Sequence, residues 1–144
     1  MMKRGRKEQE VIYSLVLFIK KLNDESSNGA LVVVEGIRDV NALNSLGYIG
    51  PIYMLCQKDL LHLISETKKY KKTILLLDLD REGKRLTKKV ILMLHENKLV
   101  VDLFFRRELT PITKGRVKHI EELDRYKDLR SYAVGPNTNE GFDI

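Results

Sequence analysis

The sequence predicts an α/β fold, a four-stranded and mainly parallel sheet with helices on both faces in three layers. Three observations lead there. Short apolar runs rich in Val, Ile and Leu alternate with amphipathic stretches of helical spacing, the order that builds a covered parallel sheet. The chain has 144 residues, enough for one domain with a sizeable core. Two of the apolar runs end in acids, ALVVVE at Glu35 and ILLLDLD at Asp78 and Asp80. Open α/β sheets gather their ligands beyond the carboxyl ends of the strands.

The elements follow in order. Val11, Ile12, Leu15, Phe18, Ile19 and Leu22 recur at helical spacing, so residues 8–22 open the chain as an amphipathic helix. NDESSNG, 23–29, reads as a turn-rich break. ALVVVEG is a β-branched strand. RDVNALNSLG is a short helix with Val40, Leu43 and Leu46 inward and Gly47 as its stop. GPIYMLC is a second strand, and KDLLHLISETKKY a second helix of this series with Leu60, Leu61, Leu63 and Ile64 inward. KKTILLLDLD is the third strand. REGKRLTKKVILMLHENK is a helix carrying Leu86, Val90, Met93 and Leu94, and LVVDLFF is the fourth strand. Beyond it, residues 106–130 are basic and mixed, helical around Val117 to Leu123, and GPNTNEGFDI reads as a loose tail. The expected organisation is one domain: an N-terminal helix and turn in 1–28, an α/β core in 29–106, and a basic extension and tail in 107–144. The first helix is free to pack on the sheet or on a second copy. No internal repeat and no low-complexity block interrupts this layout.

Composition narrows the class. Apolar residues make up 43% and charged residues 32%, a folded and soluble balance. No apolar run approaches a membrane span. The basic start MMKRGRKEQE lacks the apolar segment of a secretion signal. A single cysteine, Cys56, forbids an intramolecular disulfide and points to a reducing cytoplasm. The net charge of +6 favours a polyanionic partner.

Asp78 and Asp80 stand two apart at a strand end, so both carboxylates can face one pocket. Glu35 sits at the matching end of the first strand. Three acids brought together repel one another unless a cation lies between them. A hard divalent ion, Mg²⁺ or Mn²⁺, suits oxygen donors of this kind and also binds phosphate. Helix capping is the alternative use of such acids: Asp80 could cap the helix that follows it, and Asp39 could sit in a first turn. An acid inside VVVEG has no comparable explanation.

These residues resemble a known family. VVVEGIRDVNAL, 32–43, followed some forty residues later by LLLDLDREGKRL, is similar to the Toprim domain of topoisomerases, bacterial-type primases and certain nucleases. Its signature is a Glu-Gly after one strand and a D-x-D after a later one. Glu35-Gly36 and Asp78-Leu79-Asp80 match it, and Asp39 fits a frequent extension, E-G-x-x-D. The whole chain, including FRRELTPITKGRVKHIEEL at 105–123, also looks like the small stand-alone Toprim proteins of archaea. The resemblance implies that Asp78 and Asp80 hold Mg²⁺ (or Mn²⁺), and that Glu35 acts as general acid or base or as a further ligand. It implies phosphodiester chemistry. Gly36 would let the backbone approach a phosphate, and Arg81 and Lys84 would hold one at a helix start.

The expected activity is small in scale. A topoisomerase needs a tyrosine on another domain, and a complete primase needs a zinc module that one cysteine cannot build. Two classes stay open. One is a compact metal-dependent nuclease similar to a bacterial Toprim ribonuclease. The other is a non-catalytic RNA- or DNA-binding module of a larger ribonucleoprotein or repair assembly. RNA is favoured over DNA by analogy with that ribonuclease. Arg106 and Arg107, placed at the acid-bearing edge, and Lys114, Arg116, Lys118 and His119 form a candidate band for the phosphate backbone. KKYKK, 68–72, reads as a solvated face. His62, His95 and His119 read as structural or surface histidines. Tyr13, Tyr48, Tyr53 and Tyr70 read as packing, and Cys56 as a small buried residue.

Overall fold

Residues Ala30–Val34 are buried on both faces and form β1, an interior strand. The computed structural model describes residues 5–56 and 60–128. In chain order the elements are α1 (Arg6–Ser27), β1, α2 (Ile37–Ser45), β2 (Ile52–Met54), α3 (Leu60–Thr67), β3 (Lys72–Leu75), α4 (Arg81–Glu96), β4 (Val101–Asp102) and α5 (Phe104–Thr113), followed by a 3₁₀ helix at Ile120–Tyr126. The strands lie in the order β2-β1-β3-β4 and all three pairings are parallel. No helix among the described residues is long and apolar enough to cross a membrane.

Alternation along the strands builds two cores. Val32, Val34, Ile74 and Leu76 face α1, α2, α5 and the 3₁₀ helix, whereas Leu31, Val33, Leu75 and Leu77 face α3 and α4. Helix α1 therefore packs on the sheet, with Leu15 and Leu22 fully buried. It also runs on through Asn23 to Ser27, where a turn was expected. The side chains there find local partners, Ser26 and Ser27 bonding carbonyls one turn back.

The order of strands fixes where a ligand belongs. From β1 the chain steps outward to β2, then crosses back over β1 to β3. The direction of winding reverses between β1 and β3, and such a switch point opens a crevice at the carboxyl ends of its two strands. Val33 stands opposite Leu75, and the Leu76 N–H donates to Val33 O one step further on. Two more residues along the chain from each partner, past the ends of β1 and β3, bring Glu35 and Asp78 side by side.

Several expectations need correction. The fourth strand is only two residues long, and Phe104 to Arg107 belong to α5. The Asp102 carboxylate accepts from the Phe104 N–H at 2.8 Å, which ends the strand and starts the helix. Phe105, Leu109 and Thr113 then bury one face at helical spacing. Leu61, expected inward, is 75% exposed, and Tyr13, expected to pack, is 58% exposed. Cys56 is exposed. Within the lysine run, Lys72 is not merely solvated: it bridges Glu25 and Asp102, each at 2.9 Å. The expected loose tail and residues 57–59 lie outside the described residues. The basic extension supplies Val117, Ile120, Leu123 and Tyr126 to the core.

Candidate metal centre and its surroundings

Glu35 leaves β1 one residue after its last rung, and Gly36 and α2 follow at once. The Asp78 N–H donates to Glu35 Oε2 at 2.8 Å, so the two acids expected at neighbouring strand ends do meet. Burial raises the Glu35 carboxyl above its usual range; the bond from the Asp78 N–H works against this, and the charge of Asp78 adds to it. Asp39 caps α2 through the Gly36 N–H at 3.1 Å. Burial raises its carboxyl too, against that bond.

Asp80 has two attachments. One carboxylate oxygen accepts from the Gly83 N–H at 2.7 Å, which caps α4 as the capping alternative expected. The other lies 2.9 Å from His119 Nε2. These bonds, the Gly83 N–H first, hold the Asp80 carboxyl below its usual range. For His119, slight burial pulls the imidazole down, but the Asp80 bond and the charges of Asp78 and Asp80 outweigh it and raise its pKa. Asp78, Asp80 and His119 each offer a ligand atom, and these atoms lie within 4.8 Å of one another. Glu35 lies beside this group, its carboxylate held by Asp78. Oxygen donors so placed fit a hard divalent cation.

The segment that carries His119 is stitched to the acids. The Leu79 N–H donates to Lys118 O at 2.6 Å, and the Ile120 N–H to Asp78 Oδ1 at 2.8 Å. The sequence offers no local mark of this. His119 sits in a basic, irregular stretch, and only the burial of Val117 and Ile120 on either side brings it to the strand end. Read one residue at a time, it looked like a surface histidine.

The basic residues separate. Arg106 turns inward from α5 and donates to Leu77 O at 3.0 Å and to Asp78 O at 2.7 Å. It holds the acid-bearing backbone and places a positive charge beside it, and burial works against that charge while Asp78, Glu35 and Asp80 favour it. Arg107 instead lines a cleft with Lys72, His95 and Asp102. Arg81 and Lys84 are exposed on the first turn of α4, next to Asp80. Lys114, Arg116 and Lys118 are exposed on the segment that leads to His119.

This division has a measurable consequence. Arg106→Ala leaves two carbonyls without their charged donor and should cost about 1–3 kcal/mol. Arg106→Lys should recover only part, because an ammonium lacks the planar fork that reaches both carbonyls. Arg107→Ala should stay within about 0.5 kcal/mol of the parent. Urea unfolding of the three variants checks this, and equal losses at both positions would contradict the division.

A family model of the Toprim domain matches residues 30–112. A UPF0292 protein from Thermococcus gammatolerans is 38% identical over 105 residues, which cover 73% of this chain and 77% of that protein. A UPF0292 protein from Methanocaldococcus jannaschii is 30% identical over 129 residues, 88% of this chain and 99% of the other. Among solved structures, a protein from Aquifex aeolicus superposes with a TM-score of 0.65 at 33% identity, covering 74% of this chain and 94% of that one.

Proposed function

The chain belongs to the Toprim domain family, and from that premise we propose that it is a metal-dependent ribonuclease that cleaves phosphodiester bonds at the switch point between β1 and β3. Membership carries a metal-dependent, nucleic-acid-related function. Cleavage, and RNA as substrate, are the proposal. The observation that carries it is the placement of the Glu35 carboxylate on the Asp78 N–H, next to the ligand atoms that Asp78 and Asp80 offer within 4.8 Å of each other.

Asp78 and Asp80 would hold Mg²⁺ or Mn²⁺. The ion, when bound, neutralises phosphate charge and lowers the pKa of a water or hydroxyl. Glu35 serves as general acid or base, a role that suits a carboxyl raised by burial. Gly36 is proposed to let a phosphate approach the backbone: the space where a Cβ would stand is open to 4 Å, and its φ of −153° suits any residue. Neither crowding nor strain within the chain asks for glycine at this place. The first turns of α2 and α4 both begin here, and helix N-termini favour anions. Arg81, Lys84, Lys114, Arg116 and Lys118 are proposed to follow the backbone on either side. RNA is chosen by analogy with the small Toprim ribonuclease.

The test is incubation of the purified protein with labelled structured RNA, single-stranded RNA and DNA, with Mg²⁺, with Mn²⁺ and with chelator. Metal-dependent cleavage of RNA is expected. Metal-dependent retention without cleavage would make the protein a binding module, and neither binding nor cleavage of any nucleic acid would overturn the proposal.

A further inference from the structure

We propose that His119 is a ligand of the metal at this site, and that the mixed nitrogen and oxygen donors favour a first-row transition ion such as Mn²⁺ over Mg²⁺. The inference rests on the metal reading above and adds a donor that the D-x-D pattern does not contain.

Geometry supports it first. Neighbouring ligands of an octahedral ion with bonds of about 2.1 Å stand about 3 Å apart. His119 Nε2 and Asp80 Oδ2 stand 2.9 Å apart, so they already have that spacing. Asp78 offers its ligand atom within 4.8 Å of both.

The back of the ring gives an independent sign. His119 Nδ1 lies 3.3 Å from Glu122 Oε1. A metal-binding histidine nearly always has its second nitrogen held by a carboxylate, a carbonyl or a water, which fixes the ring and raises its basicity. Glu122 is itself anchored: its Oε1 accepts from the Lys118 and His119 N–H groups at 2.9 and 2.8 Å. The backbone on both sides of the imidazole is bonded to Leu79 and Asp78, so the ring is aimed by its surroundings.

Chemistry then decides the ion. Mg²⁺ prefers oxygen and keeps its waters, whereas first-row transition ions accept imidazole readily. A nitrogen in the donor set should therefore strengthen the second class and add little to the first.

Mn²⁺ bound to the wild-type protein should show the spin-echo coupling of a directly bonded imidazole nitrogen, and His119→Gln should abolish it. In titrations with the metal alone, His119→Gln should weaken Mn²⁺ about tenfold or more and Mg²⁺ by less than about threefold. Glu122→Gln should weaken Mn²⁺ in the same direction, and thermal unfolding of each variant shows that it folds. Mn²⁺ bound without nitrogen coupling in the wild type would overturn the assignment while leaving the acid site standing. So would equal losses for both ions. Failure of both ions to bind the wild type, with or without a nucleotide, would overturn this inference and the metal reading together.

Discussion

Gly83→Ala should unfold more easily than the wild type and should lose metal affinity. Helix propensity alone says the opposite, because alanine within a helix is better than glycine by about 1 kcal/mol. The contact decides the sign. A Cβ on Gly83 would lie 2.0 Å from the Asp78 carbonyl oxygen and 2.5 Å from its carbon. Both are backbone atoms and cannot turn aside. Either α4 moves off the strand end or Asp78 moves, and Asp78 is tied to Glu35, Arg106 and Ile120. Overpacking of this kind costs about 1–3 kcal/mol, and more where backbone must yield. We expect a net loss of about 3 kcal/mol in urea unfolding, with weakened Mn²⁺ binding in the fraction that folds. Lys84→Ala, exposed on the same turn, should change stability little. A Gly83→Ala protein more stable than the parent would mean that the approach of α4 to Asp78 is not as described.

Glu35→Gln should reduce cleavage about a hundredfold or more, the usual cost of a lost acid–base group. The substitution keeps the size of the side chain and an oxygen that can still accept from the Asp78 N–H. It removes the proposed proton transfer and one negative charge from beside Asp78. RNA binding should hold or tighten, since a charge that repels phosphate has gone. Stability should not fall, because burial already works against the ionised form. Single-turnover cleavage and a separate binding assay check the two halves. Loss of binding and cleavage together would make Glu35 a structural or ligand residue and not the acid–base group.

The sequence displayed most of the sheet because its strands are short, apolar and punctuated. Both site motifs were legible for the same reason: an acid directly after VVV, or after ILLL, is conspicuous where apolar residues are otherwise expected. The fourth strand was misread because LVVDLFF is uniformly apolar around one aspartate, and that aspartate caps a helix. Arg106 and Arg107 then parted company, since a helix sends adjacent side chains in different directions. His119 and Glu122 were missed because their role depends on contacts 39 and 3 residues away, and only the first reaches the motif. The need for glycine at 83 is invisible in the sequence because the packing of a helix start on a strand end has no one-dimensional mark.

Glu35, Asp78 and Asp80 are proposed to meet at the switch point in order to work with a divalent cation. Anomalous diffraction from crystals soaked in Mn²⁺, with and without a nucleotide, tests it most directly. A peak at Asp78 and Asp80 beside Glu35 is expected, in one soak or both. Density elsewhere on the molecule and none at these acids, even with nucleotide bound, would contradict it.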